Sequence, residues 1–346
     1  MGNHVTKSKG VTTLPELDAA DRQIVAALQL NGRASWRKIA AALGASESTV
    51  TRRGQQLLAD RVVAVTGVLD HLRCGLGISV YVRLRARPGR ALAVARAVAA
   101  HPRPRFVSVV TGSFDVTAEV VVENHRDILR VIGEFEGIDD VVETESMVVI
   151  RKFSAFEEWV PSTLGGSAVD TLRAGREVVD YAHRTWTEPE QLTETEFAIA
   201  KVLAADGRAS YATIAQRVGI SESTAARRVE SLVQRGCLRF RTLFEAPVLG
   251  YDVEFLLWLN VDPAHVEEVG ERLAKHPSTR YVSAATGRHT LILQGVLPGY
   301  GDLYPYTTEV VGQLPGVQSA DLTLQAQALK RAWVPIDDDG RPRPPA

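Results

Sequence analysis

The sequence repeats itself, and this repeat limits the possible folds more than any other feature. Gly32-Arg33-Ala34-Ser35 returns as Gly207-Arg208-Ala209-Ser210, which is an offset of 175 residues between Gly32 and Gly207. The same offset carries Ser46-Glu47-Ser48-Thr49 onto Ser221-Glu222-Ser223-Thr224. Solenoid repeats have much shorter periods, roughly 20–50 residues. The chain is therefore two tandem copies of one whole module.

The first half of each copy has the pattern of a three-helix DNA-binding unit. In the first copy, apolar residues from Ile24 to Leu28 predict an amphipathic helix, and Ser35 is a suitable N-cap for a second helix. Ser46 follows a glycine-bearing turn and caps a third helix over residues 47–59. Two short helices, a turn and a third helix indicate a helix-turn-helix, in which the third helix enters the major groove.

The third helix separates a core stripe, formed by Val50, Gly54 and Leu57, from a polar face. The polar face carries hydroxyls, amides and an arginine, which suit the major groove because arginine binds guanine edges and glutamine binds adenine edges. The predicted DNA-binding residues are Ser48, Thr51, Arg52, Gln55 and Gln56 in the first copy and Ser223, Arg227 and Ser231 in the second. Glu230 lies within the second face and makes it less favourable to phosphate. We therefore expect the first copy to contribute more to DNA binding than the second. The simpler alternative is that these polar helix faces are only solvent-exposed surface and bind nothing.

The second half of each copy alternates strands and helices in the order βαββαβ. In the first copy the pattern predicts strands at 78–85, 105–111, 116–122 and 141–150, with helices at 90–100 and 125–135. This order is typical of a ferredoxin-like sandwich, whose open sheet face needs a cover. The expected fold class is α+β, with two winged-helix-like helix-turn-helix domains alternating with two ferredoxin-like βαββαβ domains. The two sheets are expected to cover each other or the sheets of another chain.

These patterns divide the chain into seven predicted segments. They are a disordered tail (1–14), a first helix-turn-helix domain (15–70), a first effector and oligomerisation domain (71–151), a linker (152–190), a second helix-turn-helix domain (191–245), a second effector and oligomerisation domain (246–335) and a disordered tail (336–346). Within the linker, residues 162–167 suggest flexibility and residues 169–184 a short helix.

Charge and composition agree with a DNA-binding protein that works in the cytoplasm, associated with the nucleoid. The formal net charge is −1, but residues 15–65 carry seven Arg and Lys against five acids, whereas residues 250–330 carry five against nine. No apolar run reaches the ~18–20 residues of a membrane span, and the first residues lack the apolar core of a secretory signal. Cys74 and Cys237 lie at different places in their copies, which argues against a disulfide, and neither has zinc-ligand spacing. No cofactor or metal is expected.

The motifs resemble the Lrp/AsnC family, the leucine-responsive and asparagine-operon regulators of bacteria and archaea. The matching stretches include Asn31-Gly32-Arg33, Ser46 to Arg53, and Thr111-Gly112-Ser113-Phe114-Asp115, with counterparts in the second copy. The resemblance implies a non-enzymatic transcriptional regulator that binds double-stranded DNA, responds to an amino acid or related metabolite, and forms homo-oligomers or an intrachain pseudo-dimer. It also implies effector binding at Thr111, Gly112, Ser113, Phe114 and Asp115, where Asp115 would bind an ammonium group. Two positions depart from the family pattern. Gly54 lies on the third helix, here called the reading helix, and Thr290 occupies the position that corresponds to Asp115.

Two alternatives remain open on the sequence. Paired modules of similar architecture act as sirohaem decarboxylases, and such an enzyme would need basic groups that converge on a tetrapyrrole. The candidates for that role are His101, Arg103, Arg105, His276, Arg280 and His289. The other alternative is a scaffold that has lost DNA binding, because Gly54 weakens one reading helix and Glu230 makes the other less favourable to phosphate.

Overall fold

A computed structural model describes residues 16–174 and 189–344 of the chain. The helices are α1 (Ala19–Leu30), α2 (Trp36–Leu43), α3 (Glu47–Ala59), α4 (Ala91–Ala100), α5 (His125–Glu136), α6 (Gly166–Arg173), α7 (Glu194–Ala205), α8 (Tyr211–Val218), α9 (Glu222–Gln234) and α10 (Val266–Ala274). The strands are β1 (Ala64–Leu69), β2 (Ile78–Ala86), β3 (Pro104–Val110), β4 (Val116–Val122), β5 (Val141–Ser154), β6 (Leu238–Leu243), β7 (Val253–Val261), β8 (Thr279–Ala285), β9 (Leu291–Leu297), β10 (Val317–Arg331) and β11 (Val334–Pro335). None of these helices is long and apolar enough to cross a bilayer.

The two helix-turn-helix units, α1–α3 and α7–α9, have the boundaries that their capping residues predict. Ser46 Oγ accepts from the Thr49 amide at 3.3 Å, and Ser221 Oγ accepts from the Thr224 amide at 3.2 Å. Gly44 ends α2 in the left-handed conformation at φ 62°, which glycine adopts without steric cost. Local sequence therefore accounts for where each reading helix begins.

The strands that follow the two units pair with each other. β1 and β6 form an antiparallel ribbon, in which Ala64 pairs with Leu243 and Val68 with Arg239. Because Arg239 is the counterpart of Ala64 at the 175-residue offset, the ribbon has an approximate twofold axis. The ribbon thus joins the two helix-turn-helix units, here called the reading heads, into one unit.

The eight strands of the second halves form one closed barrel. Each copy has the ferredoxin-like strand order, β3-β4-β2-β5 and β8-β9-β7-β10. The last strand of each copy pairs with the edge of the other, β5 with β8 and β10 with β3. The expected layout of four alternating domains is therefore not confirmed, because the two ferredoxin-like halves share one barrel. Closure pairs the backbone groups of every edge and buries both open sheet faces, which a single copy cannot do.

The predicted linker and carboxyl-terminal tail are more ordered than their composition suggests. Residues 152–154 belong to β5, and α6 packs Leu172 into the core that contains Ile39. The expected flexibility at 162–167 is wrong at Leu164, which is buried in that core. The tail pairs Ile336 with Pro342. The expected disorder of residues 1–14, and the rest of the predicted linker helix beyond 174, fall outside the described residues.

Candidate DNA interface and effector site

The outer faces of α3 and α9 carry the residues expected to bind DNA. Ser48, Arg52, Gln55, Ser223 and Arg227 are exposed, and Thr51 and Ser231 are partly buried. Ser48 and Ser223 each share a hydrogen bond with the serine that caps their helix. Gln56 is exposed too, and its amide donates to Asp60 at 2.8 Å. Arg52 and Arg227 make no ion pair with a described residue. Their guanidinium groups are therefore available to a ligand on the same side of each helix.

Arg53 has a structural role, as its position on the flank of the core stripe indicates. Its Nη1 contacts Asp18 at 2.8 Å and Asp21 at 2.9 Å, which ties α3 to the start of α1. The hydrogen bonds that Arg53 donates to Asp21 and Asp18 raise its pKa. The pKa of Asp18 is lowered, first by the Asp21 amide and then by Arg53. Arg53 is thus not free to read bases.

Gly54 is explained by its neighbour on α2. A Cβ at this position would lie 2.3 Å from Cζ3 of Trp36, so the indole occupies the place of a side chain. In the second copy the two positions hold Tyr211 and Val229. A large ring faces glycine in one copy and a smaller ring faces valine in the other, so the two differences in size run in opposite directions. Gly54 therefore has a role in packing. Its presence is no longer an argument that the first helix-turn-helix unit has lost DNA binding.

Arg33 and Arg208 hold the two heads together by a reciprocal exchange. Nη1 of Arg33 donates to the Gly207 carbonyl at 2.7 Å and to the Ala209 carbonyl at 3.1 Å. Arg208 donates to the carbonyls of Gly32 and Ala34, the counterparts of those residues. Burial and the nearby Arg33 lower the pKa of Arg208 to about 10. The repeated Gly-Arg-Ala-Ser motif was the sequence signal for this interface, although its role was not foreseen.

The turn expected to bind an effector connects β3 to β4 at a seam between the copies. Thr111 Oγ1 accepts from the Leu324 amide of the other copy at 3.0 Å, and Gly112 has a φ of +99° that favours glycine. Gly112 and Ser113 are exposed, whereas Phe114 is buried. The turn thus combines an exposed polar tip with a structural anchor.

Asp115 and Thr290 perform the same structural task. Asp115 Oδ2 accepts from the Ala86 amide at 2.8 Å, and Thr290 Oγ1 accepts from the Val261 amide at 2.9 Å. Ala86 and Val261 are counterparts at the 175-residue offset. The exchange of acid for hydroxyl therefore preserves one hydrogen bond to the end of a barrel strand. Asp115 keeps Oδ1, for which the described residues provide no hydrogen-bond donor.

A buried arginine lies beside this turn. The Arg83 guanidinium lies between the rings of Phe114 and Trp258, at 4.5 and 4.6 Å from their centroids, and pairs with Glu145 and Asp321. His289 Nε2 is 3.3 Å from Arg83 Nη1. Burial, and then the charge of Arg83, lower the pKa of His289. Arg83 is balanced by its two carboxylate partners, and a lowered pKa favours the neutral form of His289. Little uncompensated charge therefore remains at this seam.

The six residues considered for a tetrapyrrole enzyme lie in different settings. His101 and His276 each accept a hydrogen bond on Nδ1 from the amide two residues later, at a helix end, and Arg103 provides the first of these amides. His289 belongs to the seam with Arg83. Arg105 and Arg280 are buried, with carboxylate partners Glu119 and Glu254. The structure therefore does not gather the six residues into one group.

A dense group of buried charges lies where the β1–β6 ribbon meets the barrel, and the sequence analysis missed it. We define the central charged cluster as Asp70, Arg105, Glu119, Lys152, Glu157, Arg239 and Arg241. It contains four cations and three carboxylates. Arg105 contacts Glu119 at 3.0 Å, and Arg239 lies 3.8 Å from Asp70 and 3.6 Å from Glu157. These residues come from both copies, so no single stretch of sequence reveals the group.

Comparison with known proteins agrees with this architecture. The AsnC-type helix-turn-helix model matches residues 17–58 and again 192–233, and the Lrp/AsnC ligand binding domain model matches residues 79–158. An HTH-type transcriptional regulator of Pyrococcus horikoshii is 30% identical over 147 residues, which are 42% of this chain and 93% of that protein. The chain belongs to the Lrp/AsnC family. Fewer than half of the residues of this chain cover almost the whole relative, as expected for a chain that contains two modules.

Two further proteins are similar to this chain. The transcriptional regulator AzlB of Bacillus subtilis is 27% identical over 152 residues, which are 42% of this chain and 97% of AzlB. Among solved structures, the siroheme decarboxylase NirDL matches with a TM-score of 0.58 and 17% identity, over 91% of this chain and 93% of that chain. At this identity the second match shows a shared fold across both modules. This Lrp/AsnC protein therefore shares its two-module architecture with a protein of known structure.

Proposed function

We propose that this Lrp/AsnC protein is a sequence-specific transcriptional regulator that acts on the nucleoid and uses both reading heads of one chain as a pseudo-dimer. The observation that carries the proposal is the twofold exchange between Arg33 and Arg208, together with the β1–β6 ribbon. A twofold pair of reading helices suits an inverted repeat whose half-sites are about one helical turn apart, ~34 Å. Further association into homo-oligomers is part of the same proposal.

The proposed contacts are those of the outer helix faces. Arg52 and Arg227 would bind guanine edges or phosphates, and the neighbouring hydroxyls and amides would complete the contact. Ser48, Thr51, Gln55 and Gln56 belong to the first face, and Ser223 and Ser231 to the second. Glu230, exposed on α9, repels phosphate, so the first head should contribute more of the affinity.

Substitution of Arg52 tests this assignment. The Arg52→Ala variant should lose about 1–3 kcal/mol of binding free energy for an operator selected from random duplexes, or lose about one unit of salt slope if Arg52 binds phosphate. Arg126→Ala is the matched control, because Arg126 is an exposed arginine on α5 of the barrel. Unchanged affinity and unchanged salt slope for Arg52→Ala would show that α3 does not bind DNA.

We also propose that a small metabolite, such as an amino acid, binds at the turn from Thr111 to Asp115. Support comes from the exposed tip at Gly112 and Ser113 and from the remaining carboxylate oxygen of Asp115. Calorimetric titration with the common amino acids tests the assignment. If an amino acid binds the wild type and Asp115→Asn binds it equally well, the ammonium contact is wrong. Asparagine keeps an oxygen for the Ala86 amide, so this variant isolates the charge.

The fold shared with a siroheme decarboxylase motivates one discriminating experiment. We propose a regulator and not an enzyme, because the basic residues considered for tetrapyrrole chemistry lie in separate settings. Titration with an iron uroporphyrin, followed by absorbance near the Soret band, separates the two functions. A saturable spectral shift at one site per chain would favour the enzyme.

A further inference from the structure

An enclosed cavity of about 30 Å³ lies within the central charged cluster. Its lining includes His71, Lys152, Arg241 and Tyr281. One water needs roughly 10–15 Å³ measured in this way, so the cavity has room for about two waters or one small polar group. It lies between the β1–β6 ribbon of the reading heads and the end of the barrel.

An apolar groove of about 460 Å³ adjoins this cavity. Its walls come from β1, from α7 and from the β10–β11 turn, and they include Leu69, Leu76, Ala200 and Ala204. The groove and the cavity share His71, Val68, Leu69 and Ala332 as lining residues, so the apolar space ends at the polar one. Its volume is within the range of small-molecule sites, roughly 300–1,000 Å³.

Two polar side chains of the cavity lack a close hydrogen-bonding or ionic partner among the described residues, although the charge of Glu157 acts on Arg241 from a greater distance. His71 is 1% exposed, and neither ring nitrogen has a hydrogen bond to a described residue. Arg241 is 7% exposed and makes no ion pair with a described carboxylate; its guanidinium lies 3.8 Å from the ring centroid of Phe156. Burying a cation without a partner is costly, and the cluster has one more cation than carboxylates. An additional single negative charge would balance it.

The groove wall contains a strained turn. Ala332 and Trp333 have φ angles of 49° and 63°, and they form the two-residue connection between β10 and β11. Such a turn favours Asn-Gly, because the left-handed region costs other residues roughly 1–2 kcal/mol each. The Trp333 amide donates to the Arg105 carbonyl at 3.1 Å, which connects the strained turn to the cluster. Strain that is maintained in this way is common at ligand sites.

At the corresponding place in the first copy, the chain itself packs against α1. Gln29 is the counterpart of Ala204, and its amide donates to the carbonyls of Phe156 and Trp159. Trp159 is buried, and α6 follows it in the same core. In the second copy the chain turns away at Ala332 and Trp333 instead. The difference between the copies therefore creates one apolar space next to one charge-deficient cavity.

We propose that the groove and the cavity together form a binding site for an amphipathic monocarboxylate. The carboxylate occupies the cavity beside Arg241 and His71, and the apolar tail occupies the groove between β1 and α7. A neutral His71 donates one N–H to the carboxylate. The site deepens the proposed regulatory function, because its walls belong both to the second reading head and to the barrel. Only its effect on DNA rests on that function.

Calorimetry with octanoate tests the site on the full-length protein. We expect saturable binding of one octanoate per chain and at least tenfold weaker binding of 1-octanol and octylammonium, since a charged hydrogen bond is stronger than a neutral one. Arg241→Met should weaken octanoate at least tenfold, and Ala204→Phe should remove binding by filling the groove. Arg126→Met is the control for loss of an arginine. Equal binding of octanoate and octanol, or wild-type affinity in both variants, would overturn the site.

A check of folding and a measurement of DNA affinity complete the test. If Arg241→Met does not fold, judged by its circular dichroism spectrum, Ala204→Phe decides between presence and absence of the site. Octanoate should also shift the affinity of the wild type for its selected operator, and should not do so for Ala204→Phe. Octanoate that binds without changing DNA affinity would overturn the regulatory role. Absence of any operator would refute the proposed function and leave the calorimetric result standing on its own.

Discussion

Replacing Gly54 by valine tests whether the packing between α2 and α3 determines the sequence of the first reading helix. Valine is a better helix former than glycine by roughly 0.4 kcal/mol. Its Cβ, however, would lie 2.3 Å from Cζ3 and 2.5 Å from Cη2 of Trp36, so the indole must leave the face of α3. The indole would also leave the Arg208 guanidinium, now 4.3 Å from its ring centroid. Overpacking of this kind costs about 1–3 kcal/mol.

The second copy provides the compensating change. Trp36→Tyr combined with Gly54→Val reproduces the pair Tyr211 and Val229. We expect Gly54→Val alone to be destabilised by about 1–3 kcal/mol and the double variant to recover at least about 1 kcal/mol of that loss, since residues in contact couple by 0.5–3 kcal/mol. Urea unfolding followed by circular dichroism at 222 nm measures the free energies of the two single variants and the double variant.

Additive effects would refute this reasoning. If the double variant loses as much stability as the sum of the single variants, Trp36 and Gly54 are not a packing pair. If Gly54→Val is as stable as the wild type, the indole moves at no cost and the glycine has another origin. Gly133→Val on α5 is a suitable control, because apart from the adjacent backbone of α5 no described atom lies within 4 Å of the Cβ it would introduce.

Three further predictions address the interface, the buried histidine and the thiols. Arg33→Met removes two charged hydrogen bonds to the other head and should cost about 1.5–3 kcal/mol of stability, with weaker operator binding although Arg33 is not on a reading face. Burial, and then the charges of Lys152 and Arg105, hold the pKa of His71 well below its usual value, so the unfolded chain takes up a proton below about pH 6.5 that the folded chain refuses. Stability should therefore fall as the pH drops below about 6.5, by at most about 1.4 kcal/mol per pH unit, and less steeply in His71→Gln. Burial raises the pKa of both cysteines, so Ellman's reagent should react with them only after unfolding.

Each of these predictions has its own contrary result. Arg208→Met should behave like Arg33→Met, and a large difference between them would contradict the reciprocal exchange. Identical pH profiles for the wild type and His71→Gln between pH 5 and 7 would mean that His71 titrates normally in the fold. Rapid reaction of two thiols in the native protein, compared with a urea-unfolded control, would place Cys74 or Cys237 at the surface.

The cysteines show what a comparison of repeat positions leaves out. Cys74 and Cys237 lie at different places in the two copies, which argued against a disulfide but did not show that they are neighbours. In the folded chain Cys74 Sγ lies 3.6 Å from the Cys237 carbonyl oxygen, and both thiols are buried in one core. Residues that differ in repeat position meet because the β1–β6 ribbon joins the copies. Repeat comparison finds equivalent residues, and it does not find neighbours across the twofold axis.

The sequence by itself determined the local elements of this Lrp/AsnC protein. The 175-residue repeat, the serine caps at Ser46 and Ser221 and the helical spacing of the core stripe depend on residues that are near one another along the chain, so their pattern predicts helices and strands directly. Only the tertiary structure decided how the copies combine. An alternating strand pattern is the same whichever edge it pairs with, so barrel closure and the Arg33–Arg208 exchange are not visible in it. For the same reason the strand pattern around Arg241 does not show that folding buries this residue in a cluster with one more cation than carboxylates.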